Sequence, residues 1–317
     1  MTKNLTRAET AGFLLAHDNF CILTHRRPDG DTIGSAAALC RGLRLLGKTA
    51  HVLENAEITD RFRPLVDGLT KPWPEETDTL VSTDVASPGM LPVAFEPLLK
   101  RIALRIDHHS AATSFTGLEL VDGSSASCAE IIWDILNCLG VEMDQACAEA
   151  IYVGTSTDTG CFRYSNITAH TFETAAACSK AGARVYELNQ ELFETNTLAR
   201  LRMQAWVVDH LHTFQEGKMA ICAIPLAVEK EIGVTADDMD NISSFPRTVA
   251  GVCMAATLRE TAEGEIKLSV RAVPSYDATK ITAPLGGGGH KGAAGASLKL
   301  SMDEAVKVVE QIMLKNT

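Results

Sequence analysis

Hydrophobic residues in the first half of the chain come in short runs that alternate with amphipathic stretches. Five strands are predicted from the apolar runs Phe20–Thr24, Ala50–Glu54, Thr79–Thr83, Ile102–Ile106 and Leu118–Val121. Helices are predicted, from apolar residues every three to four positions, at Thr32–Leu46, Ser127–Leu139, about Ala146–Thr155, Thr168–Lys180 and Val185–Phe193. This alternation is typical of a doubly wound, mainly parallel sheet, so the predicted fold class is α/β.

The pattern changes in the second half. Thr197–Thr213 keeps a helical period and is predicted to be one long helix that connects two domains. Further strands are predicted at Met219–Ile224, Gly251–Arg259 and Ile266–Val273, with helices near Asp237–Ser244, Asp277–Pro284 and Met302–Leu314. A length of 317 residues also favours two cores over one. We therefore predict a first domain at 1–190, a connector at 191–213 and a smaller α/β domain at 214–317.

The composition narrows the class of protein. Hydrophobic residues make up 46% and charged residues 22% of the chain, as in ordinary globular proteins. No apolar run approaches the length that spans a bilayer, and the polar N-terminus does not resemble a signal peptide. The nine cysteines form no C-x-x-C pair, which indicates reduced thiols. We expect a cytoplasmic protein without a membrane partner.

The net charge of −11 bears on the substrate. Proteins that bind long nucleic acids usually present a basic face, because neutralised phosphates supply most of the affinity. We therefore expect no long duplex DNA as a partner. A small phosphorylated ligand in a local basic pocket remains compatible with this charge.

A first cluster of candidate ligands follows the first strand, in the loop that contains His25, Asp29 and Asp31. In open α/β sheets, sites form at the carboxyl ends of strands. One imidazole and two carboxylates within seven residues suit Mn²⁺ or Mg²⁺ better than a structural zinc. The alternative is a helix-entry loop, in which Asp31 caps the helix and Asp29 makes an Asx turn.

Three further loops carry candidate ligands. Asp84 ends the third strand, although a helix cap ahead of Pro88–Leu99 would also explain it. Asp107-His108-His109 closes the fourth strand, and a polar surface loop is the alternative. Asp158 lies among small residues in a predicted Gly-rich turn, Gly154–Gly160, as a carboxylate at the end of a strand or helix. The alternative is an ordinary glycine-rich turn with Asp at a favoured turn position.

The four loops are expected to converge on one site, because the carboxyl ends of parallel strands meet at one edge of a sheet. Two divalent ions about 4 Å apart need a shared carboxylate and several flanking ligands. Two histidines and four aspartates are available as ligands for these ions. Asp107 is then left over and is a candidate to support a ligand without binding a metal itself. We predict a two-metal site there.

The second domain carries a glycine-rich run, Gly286–Gly295, with His290 and Lys291 inside it. Successive glycines can turn N–H groups toward one anion, and Gly287, Gly288 and Gly289 are the candidates here. The small residues after them are predicted to start a helix over this anion site, although a flexible linker is the alternative. Arg271, just upstream, suits bidentate phosphate binding unless it is a solvated strand residue.

These motifs resemble the DHH phosphoesterase superfamily, and the glycine run with Arg271 resembles its DHHA1 domain. The resemblance covers nearly the whole chain. The segment Pro28–Ser35 and the wording Thr-Asp-Thr-Gly-x-Phe at 157–162 are most similar to the bifunctional oligoribonuclease and pAp phosphatase (nanoRNase) group. One departure is Ala272, where the family often has serine.

The resemblance implies a role for each motif residue. One metal would be held by His25, Asp29 and Asp84, and the other by Asp31, Asp84, His108 and Asp158. Asp84 would therefore bridge the ions as a catalytic residue, and His109 would face the scissile phosphate. Arg271 and His290 would hold the terminal phosphate of the nucleotide. Family members usually take Mn²⁺, and Mg²⁺ and Co²⁺ are the other candidates.

The activity that the resemblance implies is hydrolysis of short RNA and of 3′-phosphoadenosine 5′-phosphate (pAp). Three alternatives are left open: a cyclic or linear dinucleotide phosphodiesterase, a pyrophosphatase or exopolyphosphatase, and a regulatory protein on a degenerate superfamily fold. The last predicts missing ligands, and none of the motif residues is missing. The sequence leaves the oligomeric state open, with a homodimer as the form considered.

Overall fold

The computed structural model describes residues 2–110, 112–239 and 241–316. The chain divides into two compact units, Met1–Thr195 and Asn196–Thr317. Each unit has its own sheet and its own buried hydrophobic core. Among the described residues, no helix combines the length and the apolar character needed to cross a bilayer.

Seven strands form the sheet of the first unit. They are β1 (Lys3–Asn4), β2 (Phe20–Leu23), β3 (Ala50–Leu53), β4 (Thr70–Lys71), β5 (Thr79–Thr83), β6 (Ile102–Asp107) and β7 (Leu118–Val121). Every pairing is parallel, in the order β1-β7-β6-β5-β2-β3-β4. The predicted α/β fold class is confirmed, and the five predicted strands lie within a residue or so of the observed ones.

Helices cover one face of this sheet. They are α1 (Arg7–Ala16), α2 (Gly30–Leu45), α3 (Cys128–Cys138), α4 (Gln145–Asp158), α5 (Ala169–Lys180) and α6 (Val185–Asn189). The other face packs against the 3₁₀ segments Pro88–Met90 and Val93–Arg101, through side chains such as Phe95 and Leu98. The strands are therefore buried on both faces, which explains why they read as continuous apolar runs rather than alternating ones.

Two predictions about the first unit need correction. The Gly-rich stretch from Gly154 to Asp158 is helical, so Asp158 is the last residue of α4 and does not lie in a turn. The segment Val185–Phe193 is not one α-helix, because α6 ends at Asn189 and a π-helical turn, Gln190–Glu194, follows it. Gly154 is accepted inside a helix because a Cβ there would lie 2.5 Å from Cβ of Ala129 on α3 and 3.0 Å from Oδ1 of Asp31.

The second unit is a mixed sheet with helices on both faces. Its strands are β8 (His212–Phe214), β9 (Met219–Ile224), β10 (Met254–Glu260), β11 (Ile266–Ala272), β12 (Gly288–His290) and β13 (Ala293–Leu298). Its α-helices are α7 (Leu198–Asp209), α8 (Leu226–Ile232), α9 (Thr279–Thr282) and α10 (Met302–Lys315). The strand order is β12-β13-β11-β10-β9-β8. Among the strands of the described residues, only β9 and β10 pair in parallel.

The structure of the second unit differs from the predictions in three places. The connector is not a single helix over Thr197–Thr213, because α7 ends at Asp209 and β8 begins at His212. The helix expected near Asp237–Ser244 is a 3₁₀ segment, Ile242–Thr248. The residues after the glycine run form β13, not a helix. A Cβ on Gly289 would lie 2.6 Å from the carbonyl oxygen of Ala293, so these glycines serve a tight β12–β13 pairing.

Candidate metal centre

The carboxyl ends of three neighbouring strands meet at the point where the strand order of the first sheet reverses. From β2 the chain moves outward to β3 on one side, whereas β5 leads to β6 and β7 on the other. Ligand sites of open α/β sheets lie at such switch points. His25, Asp84 and the Asp107–His109 segment all follow or end these strands, so the topology brings them together.

The first group of side chains consists of His25, Asp29 and Asp84. The Nε2 atom of His25 lies 3.5 Å from Oδ1 of Asp29 and 3.5 Å from Oδ2 of Asp84. His25 and Asp84 are buried, whereas the Asp29 side chain is 58% exposed. The group therefore opens to solvent on the side of Asp29.

The second group consists of Asp31, His108 and Asp158, together with the other oxygen of Asp84. The Nε2 atom of His108 lies 3.7 Å from Oδ2 of Asp31 and 3.6 Å from Oδ2 of Asp158. The same atom lies 3.6 Å from Oδ1 of Asp84. Asp84 thus turns one oxygen to each group, as a carboxylate shared between two cations would.

The spacing of these atoms suits cations better than direct hydrogen bonds. The ligand atoms of His25, Asp29 and Asp84 lie within 4.8 Å of one another, and so do those of Asp31, His108 and Asp158. Two atoms that share a cation at about 2.1 Å each are separated by about 3–4 Å. In the described part of the chain, no group donates a hydrogen bond to the buried Oδ1 of Asp84. A buried oxygen without a donor fits a metal ligand, because buried polar atoms otherwise find partners.

The two aspartates of the first loop have different partners. Asp29 is the N-cap of α2, and its Oδ1 accepts from the backbone N–H groups of Asp31 and Thr32, at 3.1 Å each. Asp31 is buried, and its two oxygens accept from the N–H groups of Cys128 at 2.7 Å and Ala129 at 2.9 Å, at the start of α3. The capping role therefore belongs to Asp29, and Asp31 is held by the N-terminus of another helix.

The histidine tautomers follow from backbone acceptors. Nδ1 of His25 donates to the carbonyl of Arg26 at 2.8 Å, and Nδ1 of His108 donates to the carbonyl of Ser125 at 3.3 Å. Since a carbonyl oxygen only accepts, the hydrogen of each neutral ring lies on Nδ1. This leaves the Nε2 lone pairs toward the carboxylates, which is the arrangement of imidazole ligands to metals.

Asp84 has an unusual backbone. Its φ angle is 60°, in the left-handed region that only Gly, Asn and Asp adopt with any frequency, and its N–H donates to the carbonyl of Ile106 on β6. Asp84 is not the N-cap of the following 3₁₀ segment, a position that Ser87 takes. The capping alternative for Asp84 therefore does not describe the structure, and the backbone at this residue is strained next to the candidate ligands.

The crowding of carboxylates controls the charge of the site. Burial and the neighbouring carboxylates raise the pKa of Asp31 well above its ordinary value, and raise that of Asp158 to about 7. Burial lowers the pKa of His108, but the carboxylates of Asp31, Asp84 and Asp158 outweigh it and raise this pKa to about 9. A divalent cation would relieve this repulsion and favour the deprotonated ligands.

Small residues let α2 and α4 approach closely enough to bring Asp31 and Asp158 together. A Cβ on Gly34 would lie 2.4 Å from the carbonyl oxygen of Ala150, and one on Gly30 would lie 2.3 Å from Oγ1 of Thr157. Cβ atoms do not occur at such distances. The geometry of the site therefore depends on glycine at these positions.

His109 and Asp107 form a pair next to the two groups. Nδ1 of His109 lies 2.8 Å from Oδ1 of the buried Asp107, which also accepts from the His109 backbone N–H. Nδ1 lies 3.4 Å from Oδ1 of Asp84 as well. Asp107 therefore orients the His109 ring. Among the described residues, His109 also forms a third group of candidate ligand atoms with Asp84 and His108, and the Asp107 carboxylate belongs to none of the three groups.

The remaining predicted residues lie in the second unit. Nε of Arg271, on β11, donates to the hydroxyl of Ser244 at 3.2 Å. Gly288, Gly289 and His290 form the exposed strand β12, with Gly287 just before it. Ser244 lies in the segment Ile242–Thr248 and was not predicted from the sequence.

Sequence reasoning also missed Asn55 in the first unit. Its buried side-chain amide donates to the carbonyl of His25 at 3.0 Å and to Oγ1 of Thr24 at 3.1 Å. Asn55 follows β3, the strand beside β2. A polar residue after a buried strand was the available signal, but only the strand order shows that β3 adjoins the site.

Known proteins match both units. Residues 19–155 match the model of the DHH family N-terminal domain, and residues 218–315 match the DHHA1 domain. A protein of Thermus thermophilus named bifunctional oligoribonuclease and PAP phosphatase NrnA is 33% identical over 291 residues, or 91% of this chain and 87% of that protein. A Mycoplasma genitalium protein of the same name is 26% identical and covers 88% of each chain.

A solved structure supports the fold. The crystal structure of an exopolyphosphatase-related protein from Bacteroides fragilis superposes with a TM-score of 0.86 at 23% identity, and the match covers 99% of this chain and 98% of that one. At this identity the likeness concerns the fold alone. The predicted family is confirmed by the two domain matches and by the Thermus relative together. The chain therefore belongs to the DHH family of phosphoesterases and carries a DHHA1 domain after its DHH domain.

Proposed function

We propose that the protein is a two-metal phosphoesterase that hydrolyses short oligoribonucleotides to mononucleotides and removes the 3′-phosphate of pAp. The observation that carries the proposal is Asp84, whose two carboxylate oxygens face separate groups of ligand atoms. The names of the Thermus and Mycoplasma relatives supply the substrate class. The net charge of −11 supports a short substrate over a long polyanion.

In this proposal the chain holds two Mn²⁺ ions, one through His25, Asp29 and Asp84 and one through Asp31, Asp84, His108 and Asp158. Carboxylate oxygens with a few imidazole nitrogens suit Mn²⁺, and also Mg²⁺ or Co²⁺. When bound, the ions would stabilise negative charge on the phosphoryl oxygens and lower the pKa of the attacking water. Hydrolysis adds one water across a P–O ester bond and releases a phosphate and a free hydroxyl group.

The chain's own residues orient the substrate. Burial lowers the pKa of His109, but Asp107, which accepts from Nδ1 of this ring, raises it above its ordinary value. In the protonated ring, Nε2 can donate to a phosphoryl oxygen. The hydrogen bonds of Asp31 and His108 to the backbone keep their remaining lone pairs in fixed directions. Fixed donors and acceptors need little reorganisation during the reaction, and this favours catalysis.

We assign substrate binding to the second domain, 214–317, and the chemistry to 1–190. Arg271 and His290 are proposed to hold the terminal phosphate of the nucleotide, together with the N–H groups of Gly287, Gly288 and Gly289. A guanidinium group presents paired donors that match two phosphate oxygens. Contacts to a terminal phosphate would select short substrates, because a long strand offers few chain ends.

A substrate panel tests the proposal. Purified protein with Mn²⁺ is incubated with pAp, RNA of two to five nucleotides, a cyclic dinucleotide and pyrophosphate, and the products are separated by chromatography. We expect turnover of pAp and of the short RNA. Turnover of the cyclic dinucleotide or of pyrophosphate alone would contradict the proposed substrates while leaving the family intact.

Removal of the metal is expected to abolish activity reversibly. Protein treated with EDTA and dialysed should lose hydrolysis of pAp and recover it with Mn²⁺. A ligand at about 100 times its Kd stabilises the folded state by about 2.7 kcal/mol, so the Tm should also rise on reloading. Elemental analysis and differential scanning calorimetry measure both effects. Full activity in protein shown to be metal-free would contradict the prediction.

Arg271→Lys is expected to raise the KM for pAp about tenfold, because an ammonium group replaces a bidentate donor with a point charge. Hydrolysis of bis(p-nitrophenyl) phosphate, which has no terminal phosphate, should be unchanged. Arg202→Lys, at an exposed position of α7, is the matched control. Equal losses on both substrates would contradict a role in binding the terminal phosphate.

A further inference from the structure

Arg105 and Glu119 form a buried ion pair beside the candidate metal centre. They are directly opposite each other on β6 and β7, and Nη2 of Arg105 lies 3.0 Å from Oε2 of Glu119. Their side chains are 1% and 4% exposed. Burying such a pair costs desolvation that the attraction seldom exceeds, so general stability is a weak explanation for it.

The arginine holds two backbone segments together. Nη1 of Arg105 donates to the carbonyl oxygens of Thr113 at 2.9 Å and Ala86 at 3.2 Å. The N–H of Thr113 donates to the same carbonyl of Ala86 at 2.8 Å. Ala86 lies two residues after Asp84, and Thr113 lies four residues after His109. The segment that follows Asp84 and the segment that follows His109 therefore both contact the guanidinium group of Arg105.

The glutamate organises the rest of the same loop. Glu119 accepts hydrogen bonds from the hydroxyl of Ser114 at 2.9 Å, from the N–H of Phe115 at 3.0 Å and from the N–H of Thr116 at 3.3 Å. The guanidinium carbon of Arg105 lies 5.0 Å from the centre of the Phe115 ring, which is a cation–π distance. Residues 113–116 are thus wrapped around the ion pair.

We infer that the Arg105–Glu119 pair is a positioning device for His109. The chain leaves the centre at His109, and residues 113–116 are hydrogen-bonded to the pair. Both terminal nitrogens of Arg105 donate to acceptors of the protein, and the side chain is 1% exposed, so we assign it no contact with the substrate. Asp107 fixes the ring of His109 directly, and the pair fixes the backbone that continues from it.

A double-mutant cycle tests this inference, which rests on the proposed function for the role of His109. The double substitution Arg105→Met with Glu119→Gln removes both charges, so neither partner is left buried and unpaired. We expect kcat to fall about tenfold, because small displacements of a group that contacts the reacting phosphate are costly. In a His109→Ala background, the same double substitution should change kcat less than about twofold.

The measurements separate positioning from loss of fold. Mn²⁺ affinity, measured by calorimetry, and the circular dichroism spectrum should match the wild type. Glu119→Gln alone, which keeps the side-chain volume, is the second variant and should show the same dependence on His109. Arg184→Met removes another Arg–Glu pair of the first unit, with Glu149 at 2.6 Å, and should leave kcat unchanged.

The inference is overturned if kcat falls by the same factor with and without His109, or does not fall at all. Its failure is distinguishable from failure of the proposed function, because the cycle can use any phosphoester that the wild type hydrolyses. A wild type inactive on pAp and short RNA but active on bis(p-nitrophenyl) phosphate refutes the substrates and still allows the cycle. Coupling between the pair and His109 on that substrate would support the positioning role alone.

Discussion

Asp84→Asn is expected to lower kcat/KM for pAp by at least about a thousandfold, or about 4 kcal/mol of transition-state stabilisation. The carboxylate of Asp84 faces both groups of candidate ligands, so a neutral amide should weaken both proposed metal positions at once. Asparagine is chosen because it tolerates the left-handed backbone at φ 60°, whereas alanine adds strain. Initial rates with saturating Mn²⁺ and a calorimetric count of bound Mn²⁺ measure the effect.

Asp60→Asn is the matched control. The Asp60 side chain is 99% exposed and its charged neighbour is Arg63, at 3.6 Å. Such a surface pair contributes little, so activity and fold should be unchanged. An Asp84→Asn protein that binds two Mn²⁺ per chain and keeps wild-type rates would rule out a shared carboxylate at this position.

Gly34→Ala is expected to destabilise the first unit by about 1–3 kcal/mol and to lower the Tm by about 2–10 °C. The added methyl group would lie 2.4 Å from the carbonyl oxygen of Ala150 and 2.8 Å from the backbone nitrogen of Gly154. Since the obstacle is backbone, α2 and α4 must move apart. Asp31 and Asp158, one on each helix, would then separate, and we expect activity to fall about a hundredfold.

Gly12→Ala supplies the comparison, because Gly12 lies in the middle of α1 at an exposed position. Within the described chain, no atom lies within 4 Å of a Cβ built there. Alanine should stabilise this helix by about 0.5–1 kcal/mol and leave activity unchanged. A Gly34→Ala protein with wild-type Tm and rate would show that the helices can adjust at no cost.

The parallel sheet was predictable because its strands are buried on both faces and therefore appear as uninterrupted apolar runs. The runs at Thr79–Thr83 and Leu118–Val121 coincide with β5 and β7. The short edge strands β1 and β4 were not predicted, because a strand of two residues is too short to show a pattern of hydrophobic and polar positions. Their strand character comes from pairing with a neighbour, which is tertiary information.

The secondary structure predicted for the two glycine-rich segments was wrong, and the reason is physical. Gly154 suggested a turn, and Gly286–Gly295 suggested a loop leading to a helix, because glycine is commonest where the chain bends. In the fold, Gly154 lies inside α4, and Gly288 and Gly289 lie in β12. A Cβ on Gly154 would lie 2.5 Å from Cβ of Ala129, and one on Gly289 would lie 2.6 Å from the carbonyl oxygen of Ala293. The sequence does not reveal these neighbours, because only the folded chain brings them close.

His25, Asp84 and His108 could be singled out because each follows an apolar run that forms a strand, and the topology brings these strand ends together. Asp158 instead ends α4. The residues that hold the ligands could not be singled out. Asn55 and the Arg105–Glu119 pair act through contacts between strands that are distant in the sequence. An arginine inside an apolar strand is a visible signal, but its acceptors at Ala86 and Thr113 become apparent only once the loops are folded.

The left-handed backbone at Asp84 also bears on how this protein could diverge. Among the residues one nucleotide change away from aspartate, asparagine and glycine are the two that accept this conformation readily. Both remove the carboxylate. Under the proposed function, the substitutions at this codon that suit the backbone are therefore the ones that remove the shared carboxylate, so a descendant could stay folded while losing catalysis.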